Sequence, residues 1–267
     1  MDSVRILMVR DLLSFNVLLI LIFASTSVNA GPVYANTEWT DSHATFNDGN
    51  NAQGTMGGAC GYGNISSRGY GLETTALSST LFNSGLTCGA CFEIKCKVEN
   101  STWCFPNAGS IKVTATDLCP ANPAMPTNNG GWCNPPRTHF DLSYQMFTRL
   151  AKAEGAIIPV QFRRVPCVKV GGIRFTMNGN PWFNLVLVSN VAGAGNVVNL
   201  QMKSSETNWF WMTARQISGQ YWELNQNLMG QNISFRVTLG NGKVMIANNV
   251  VPANWNFQQT FESDINF

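Results

Sequence analysis

The chain has 267 residues, 45% of them hydrophobic and only 12% charged, with a formal net charge of +2. No basic patch marks a nucleic-acid surface and no acidic tract marks a solvating tail. So few charges beside plentiful Gly, Asn, Ser and Thr suit a turn-rich β protein rather than a helical one.

At the N-terminus Arg5 and Arg10 precede the apolar run Leu12–Phe23, with small residues at Val28 and Ala30. This is the layout of a secretory signal peptide over 1–30, cleaved after Ala30. The run falls short of the roughly 20 residues needed to span a bilayer, and nothing later reaches that length. Cleavage leaves 15 Lys plus Arg against 13 Asp plus Glu, so the net charge stays at +2 over both halves. The remaining length is enough for two modest domains with cores of their own.

All eight cysteines, Cys60, Cys88, Cys91, Cys96, Cys104, Cys119, Cys133 and Cys167, lie in the first 170 residues. An even count behind a signal peptide reads as a disulfide framework, and its asymmetry separates a stapled N-terminal domain, 31–169, from a cysteine-free C-terminal one, 171–267. Spacing alone leaves 105 pairings open. Cys88-Gly-Ala-Cys91 has redox spacing and could begin a zinc site, but the chain has only His43 and His139 to complete one and no βαβ pattern around the pair. No metal and no cofactor is expected. Sequons at Asn64, Asn100 and Asn232 permit glycosylation on a secretory route.

Through the N-terminal domain, 91–98 and 110–116 alternate as half-buried strands. A short helix is expected over 75–82, and a longer one over 141–154, capped by Asp141 or Ser143 and stopped by Gly155. The sum is a small β-barrel with one or two helices against it. Beyond Val170-Gly171-Gly172, strands are expected at 173–177, 183–189, 197–203, 209–213, 220–224, 233–239 and 244–251. Seven strands in under a hundred residues suggest a sandwich, and Asn241-Gly242 is a strong hairpin signal.

Glycosidic hydrolysis normally needs two carboxyl groups across one cleft. Asp141 either caps its helix or projects into a cleft, the cap being favoured by sequence physics. Asp117, after a strand and beside Cys119, reads first as a turn residue. A serine triad is set aside, since no Gly-x-Ser-x-Gly elbow is present, and the glycines from 54 to 63 are not followed by the helix a phosphate loop needs.

Six segments carry a more specific signal: Gly54-Thr-Met-Gly-Gly-Ala-Cys-Gly-Tyr-Gly-Asn64, Cys88-Gly-Ala-Cys-Phe-Glu-Ile94, Gly130-Gly-Trp-Cys-Asn-Pro-Pro136, His139-Phe-Asp-Leu-Ser143, Arg164-Val-Pro-Cys167 and Gly171-Gly-Ile-Arg-Phe-Thr176. In this order, ending in Trp255 and Gln259-Thr-Phe261, they resemble a plant α-expansin across essentially the whole mature chain. The Gly-Trp-Cys-Asn-Pro-Pro insert before His-Phe-Asp points to the α branch.

The resemblance implies a mainly β protein: a six-stranded double-psi β-barrel, similar to family-45 endoglucanases, followed by an immunoglobulin-like β-sandwich that binds carbohydrate. It implies the pairs Cys60–Cys88, Cys91–Cys167, Cys96–Cys104 and Cys119–Cys133. It maps the related hydrolases' acid to Asp141 and their base to the position four after Thr45, which is Gly49. With the base missing, hydrolysis has no second half. The implied function is non-hydrolytic loosening of the plant cell wall, by disrupting contacts between cellulose and matrix glucans such as xyloglucan. The protein is then secreted, extracellular, monomeric, at most peripherally membrane-associated, and not an enzyme. Thr45, Asp117 and Asp141 would form the polysaccharide cleft, and Phe183, Trp222 and Trp255 an aromatic stacking platform, with Trp209 and Trp211 weaker candidates. The chain departs from the family at Asn47-Asp48, where Tyr-Gly is usual, and at Gln216-Ile-Ser-Gly219, where Asn-Trp-Gly is usual. The alternatives are a secreted endoglucanase using Asp141 with Asp48 or Asp117, and a barwin-type wall-binding or defence module without loosening activity.

Overall fold

The structure, a computed structural model, describes residues 38–47, 57–207 and 210–267. The expected signal peptide, Asp48, Gly49 and Trp209 lie outside the described residues. The first half contains β1 (Thr40–Asn47), β2 (Thr74–Ser78), β3 (Cys91–Cys96), β4 (Ser110–Cys119), β5 (His139–Ser143) and β6 (Ile158–Val165), which close into a barrel in the order β1-β5-β2-β4-β3-β6. Its interior is filled by inward-pointing residues that alternate along its strands, among them Ala44, Leu77, Ile94, Ala115, Phe140 and Leu142.

Two expected helices are shorter than their periodicity suggests. The first is strand β2 followed by one turn, α1 (Ser79–Phe82). In the second, 139–143 is strand β5, and only Tyr144–Leu150 is helical, as α2. Leu142, Met146, Phe147 and Leu150 are all buried as a helix stripe demands, but Leu142 reaches the core from a strand. The N-cap of α2 is Ser143, whose hydroxyl donates instead to the Leu72 carbonyl at 2.6 Å. Asp141 is therefore no cap.

The second half comprises β7 (Arg174–Asn180), β8 (Phe183–Ser189), β9 (Val197–Ser204), β10 (Met212–Thr213), β11 (Arg215–Ser218), β12 (Tyr221–Leu224), β13 (Ile233–Leu239), β14 (Val244–Val251) and β15 (Thr260–Glu262). They form two sheets on one core, β10-β9-β13-β14 against β11-β12-β8-β7-β15. The edge strands β11 and β15 are additions to the expected set, and both are short. The β13–β14 hairpin turns at Asn241-Gly242, where Gly242 has φ +80° and Asn241 Oδ1 accepts the Lys243 N–H at 3.1 Å.

Four disulfides join Cys60–Cys88, Cys91–Cys167, Cys96–Cys104 and Cys119–Cys133, as the resemblance implied. Barrel and sandwich fall in one compact unit. Gln220 N–H donates to the Cys60 carbonyl at 3.0 Å, Cys167 and Gly193 exchange two backbone bonds, and Arg68 Nη1 donates to Thr176 Oγ1 at 2.6 Å. Gly219 fits because a Cβ there would lie 2.5 Å from the Cys60 backbone. Among the described residues no helix is long and apolar enough to cross a membrane.

A carboxylate row on the barrel and its continuation on the sandwich

The expected cleft residues meet through strand register. Thr45 on β1 is opposite Asp141 on β5, Asp141 is opposite Ala76 on β2, and Ala76 is opposite Asp117 on β4. Directly paired residues share a sheet face, so the four form one row across the barrel. Phe140 and Leu142 point into the core, which turns Asp141 outward. The period-two reading is available in the sequence but is hidden by the helical spacing of the same apolar residues.

Behind the row sits a residue that sequence reasoning missed. His139 is fully buried two positions before Asp141, and its Nε2 lies 2.8 Å from Thr45 Oγ1, which donates to Asp141 Oδ1 at 2.8 Å. A hydroxyl has one proton, so with Thr45 donating to the carboxylate, Nε2–H is the donor to Thr45. That fixes the tautomer by its network. His139 Nδ1 is buried with no partner among the described residues. Burial drives the imidazole pKa down to about 3, with His43 and Arg137 adding repulsion. His139 is thus a neutral donor that aims the Thr45 hydroxyl at Asp141.

Asp117 serves differently. Its Oδ1 accepts from the N–H groups of Ala59 at 2.6 Å and Leu118 at 2.7 Å, pinning the loop at 57–61 to the barrel. A Cβ on Gly58 would come 2.7 Å from the Asp117 carboxyl carbon. The row therefore contains one carboxylate aimed by a hydroxyl and another engaged in holding backbone. From Asp117 the loop leads through Cys60 and Gly61 to Tyr221, whose ring packs against the barrel core and against Gly61. Tyr221 pairs with Leu187 on β8, and β8 runs back through Leu185 to the exposed Phe183.

Two of the three platform residues are corrected. Trp222 and Trp255 are each 2% exposed and belong to the sandwich core. Trp222 is opposite Val186, an inward residue, while its neighbour Tyr221 takes the outer face. Trp255 packs edge-on to Phe257 at 4.9 Å and donates Nε1–H to the Leu228 carbonyl at 3.2 Å. Neither can stack on a sugar from there. Phe183, 38% exposed, remains at the surface beside Trp182, 73% exposed, which sequence reasoning also missed. Trp211 lies on the other sheet, under Lys203 at 4.9 Å and Arg236 at 4.7 Å. Gln216 and Ile217 stand on the edge strand β11, with Gln216 Nε2 donating to the Gly219 carbonyl at 2.6 Å. Among the described residues no cluster of three or more His, Cys, Asp or Glu could hold a metal.

A closed barrel with an outward carboxylate row, stapled by disulfides and followed by a β-sandwich, defines a two-domain polysaccharide-handling protein. Comparison with known proteins agrees. Residues 173–252 match the expansin C-terminal domain, and residues 74–162 match a double-psi barrel family described as lytic transglycolase. The chain is 47% identical to expansin-A32 of Oryza sativa over 86% of its length and 84% of the relative's. It is 45% identical to expansin-A7 of Arabidopsis thaliana, covering 92% of both. Among solved structures, the apo expansin of Clavibacter michiganensis superposes with a TM-score of 0.63 at 15% identity, covering 85% of this chain and 96% of that one. A point mutant of that bacterial protein in complex with cellohexaose gives a TM-score of 0.64 at 14% identity, covering 86% and 98%. The chain belongs to the plant expansin-A family. It is a non-enzymatic, wall-loosening protein of the cell wall.

Proposed function

We propose that the protein loosens walls by lying along a glucan chain and displacing its non-covalent contacts with neighbouring polymers, cellulose on one side and matrix glucans such as xyloglucan on the other. The observation that carries this reading is the unbroken path from Thr45 and Asp141, past Asp117 and the 57–61 loop, to Tyr221, Leu185 and Phe183. A glucan presents hydroxyls at its edges and flat C–H faces. Asp141 accepts from the hydroxyls, while Phe183 at the far end covers a sugar face. The complex of the bacterial relative with cellohexaose supports a cellulose-like ligand.

On this reading the signal peptide at 1–30 is removed and the protein is delivered outside the cell as a monomer, with a barrel domain over 31–169 and a carbohydrate-binding domain over 171–267. Asp141 has become a hydrogen-bonding anchor. Asp117 has Oδ1 tied to two backbone N–H groups, which supports reading it as an anchor for the 57–61 loop rather than as the base of a hydrolase. Titration of the purified protein with cellohexaose tests the reading. Binding that weakens about tenfold in Asp141→Asn supports it, and equal binding by the variant rejects the row as the ligand surface.

A further inference from the structure

The Gly130–Pro136 motif lies between β4 and β5, and the glucan path leaves it unused. It is built as a braced shelf. Cys119–Cys133 closes its base. Asn134 donates through Nδ2 to the carbonyls of Asn122 at 2.9 Å and Met125 at 3.0 Å, and accepts the Asn122 N–H at 2.6 Å. At the end of the shelf the Arg137 guanidinium lies over the Trp132 ring, 5.4 Å from its centroid, while Ser78 Oγ donates to the Arg137 carbonyl at 3.0 Å.

Arg137 borders an open hollow of about 440 Å³ that it shares with His43, Asp41, Thr127 and Thr138. The carboxylate that lines this hollow, Asp41, is already matched by Lys97 outside it, so the Arg137 charge is left over. Asp41 is bonded to Lys97 at 2.8 Å and accepts from Gln161 Nε2 at 2.8 Å. Among the described residues no carboxylate lies within ion-pair distance of Arg137. His43 stands opposite His139 and two residues before Thr45 on β1, so the hollow prolongs the Asp141 row along β1 and β5. From Asp141 back to Arg137 is four residues, roughly 13 Å of extended chain.

An arginine fork held on an indole at the edge of an open hollow, with no carboxylate in ion-pair range among the described residues, matches a planar carboxylate, whereas a neutral glucan offers nothing of that charge. We propose that the hollow takes the carboxylate of a uronic-acid residue on a matrix glycan whose neighbouring sugars lie on the Asp141 row. This rests on the reading of that row as a glycan surface. His43 makes the contact pH-dependent. Burial and Arg137 hold its pKa below the ordinary histidine value, Asp41 opposes them, and Lys97 adds to the repulsion. His139, facing it from β5, stays neutral. Falling pH adds a second cation at His43, and a bound uronate favours that protonation.

The test compares polygalacturonate, its methyl ester and cellohexaose as probes of the full protein. The wild type binds polygalacturonate more tightly than the ester, and more tightly near pH 5 than near pH 7. Arg137→Gln weakens polygalacturonate binding about tenfold and leaves cellohexaose binding unchanged, which also shows the variant is folded. Arg137→Lys falls between. Lys243→Gln, which removes the same charge at the β13–β14 turn, changes binding less than twofold, and His43→Gln abolishes the pH difference. The proposal is overturned if Arg137→Gln binds polygalacturonate like the wild type, or if Lys243→Gln weakens it equally, since diffuse charge then explains the binding. Failure of the wild type to bind cellohexaose is a separate result, and overturns the underlying reading of the row.

Discussion

The barrel and the sandwich secure their cores by opposite means. The barrel has all four disulfides, and its polar network faces outward, where His139, Thr45 and Asp141 form one chain of hydrogen bonds. The sandwich has no disulfide and turns its large aromatics inward: Phe175 stacks on Phe235 at 3.8 Å, and Trp222 and Trp255 fill the space beside them. A tryptophan in this sandwich is therefore not a ligand contact by virtue of its type. Position in the sheet decides: Trp222 lies on the inner face of β12, while Phe183 at the start of β8 and Trp182 in the turn before it stay outside.

The largest expected effect falls on the sandwich. Trp255→Ala removes a fully buried indole and costs about 3–5 kcal/mol, read as a lowered denaturation midpoint. A loss below about 1 kcal/mol would return Trp255 to the surface and break the contrast. In the barrel, replacing Cys91 and Cys167 by Ala opens a closure of 76 residues, for which the chain-entropy model gives about 4 kcal/mol and measured losses run about 2–5. Reductant should then unfold the barrel while the near-ultraviolet signal of the sandwich aromatics persists.

pH sharpens the comparison further. The folded pKa of His139 is depressed to about 3, so the folded state binds fewer protons than the unfolded one between that value and about 6.5. Its contribution to stability is complete above the unfolded pKa and is lost as pH falls, by at most about 1.4 kcal/mol per pH unit. The barrel transition should follow this slope in wild type and be flatter in His139→Gln, with the sandwich unaffected; equal slopes in both forms contradict the buried neutral imidazole. The smallest effect is at Phe183, where Ala should leave stability nearly unchanged and weaken adsorption to cellulose by about 1 kcal/mol, roughly fivefold.

Much of this architecture is legible in the residues. Alternation at 110–116, 183–189 and 233–239 marks real strands, and the cysteine asymmetry marks the stapled half. What misleads is an ambiguity of period. Leu142, Met146, Phe147 and Leu150 fit a helical stripe whether or not the first of them lies on a helix, so Asp141 reads as a cap when it stands on the strand that also contains His139. Once β5 is a strand, period two places His139 and Asp141 on one face and brings both to Thr45. Trp222 misleads for the complementary reason, since the face of a strand depends on its partners across the sheet, which tertiary register sets; Trp255 lies in the connection between β14 and β15, and its burial depends on how that loop folds onto the core.

The most direct test of wall loosening through a carboxylate row that does not cleave is creep of clamped, heat-inactivated wall strips with wild type and Asp141→Asn, with reducing ends measured in the same bath. Asn retains the side chain's size and most of its hydrogen bonding but removes the charge. The expected result is creep with wild type, a sharp loss of creep in the variant, and reducing ends at background for both. Release of reducing ends by wild type and not by the variant contradicts the account, because Asp141 would then be a working acid.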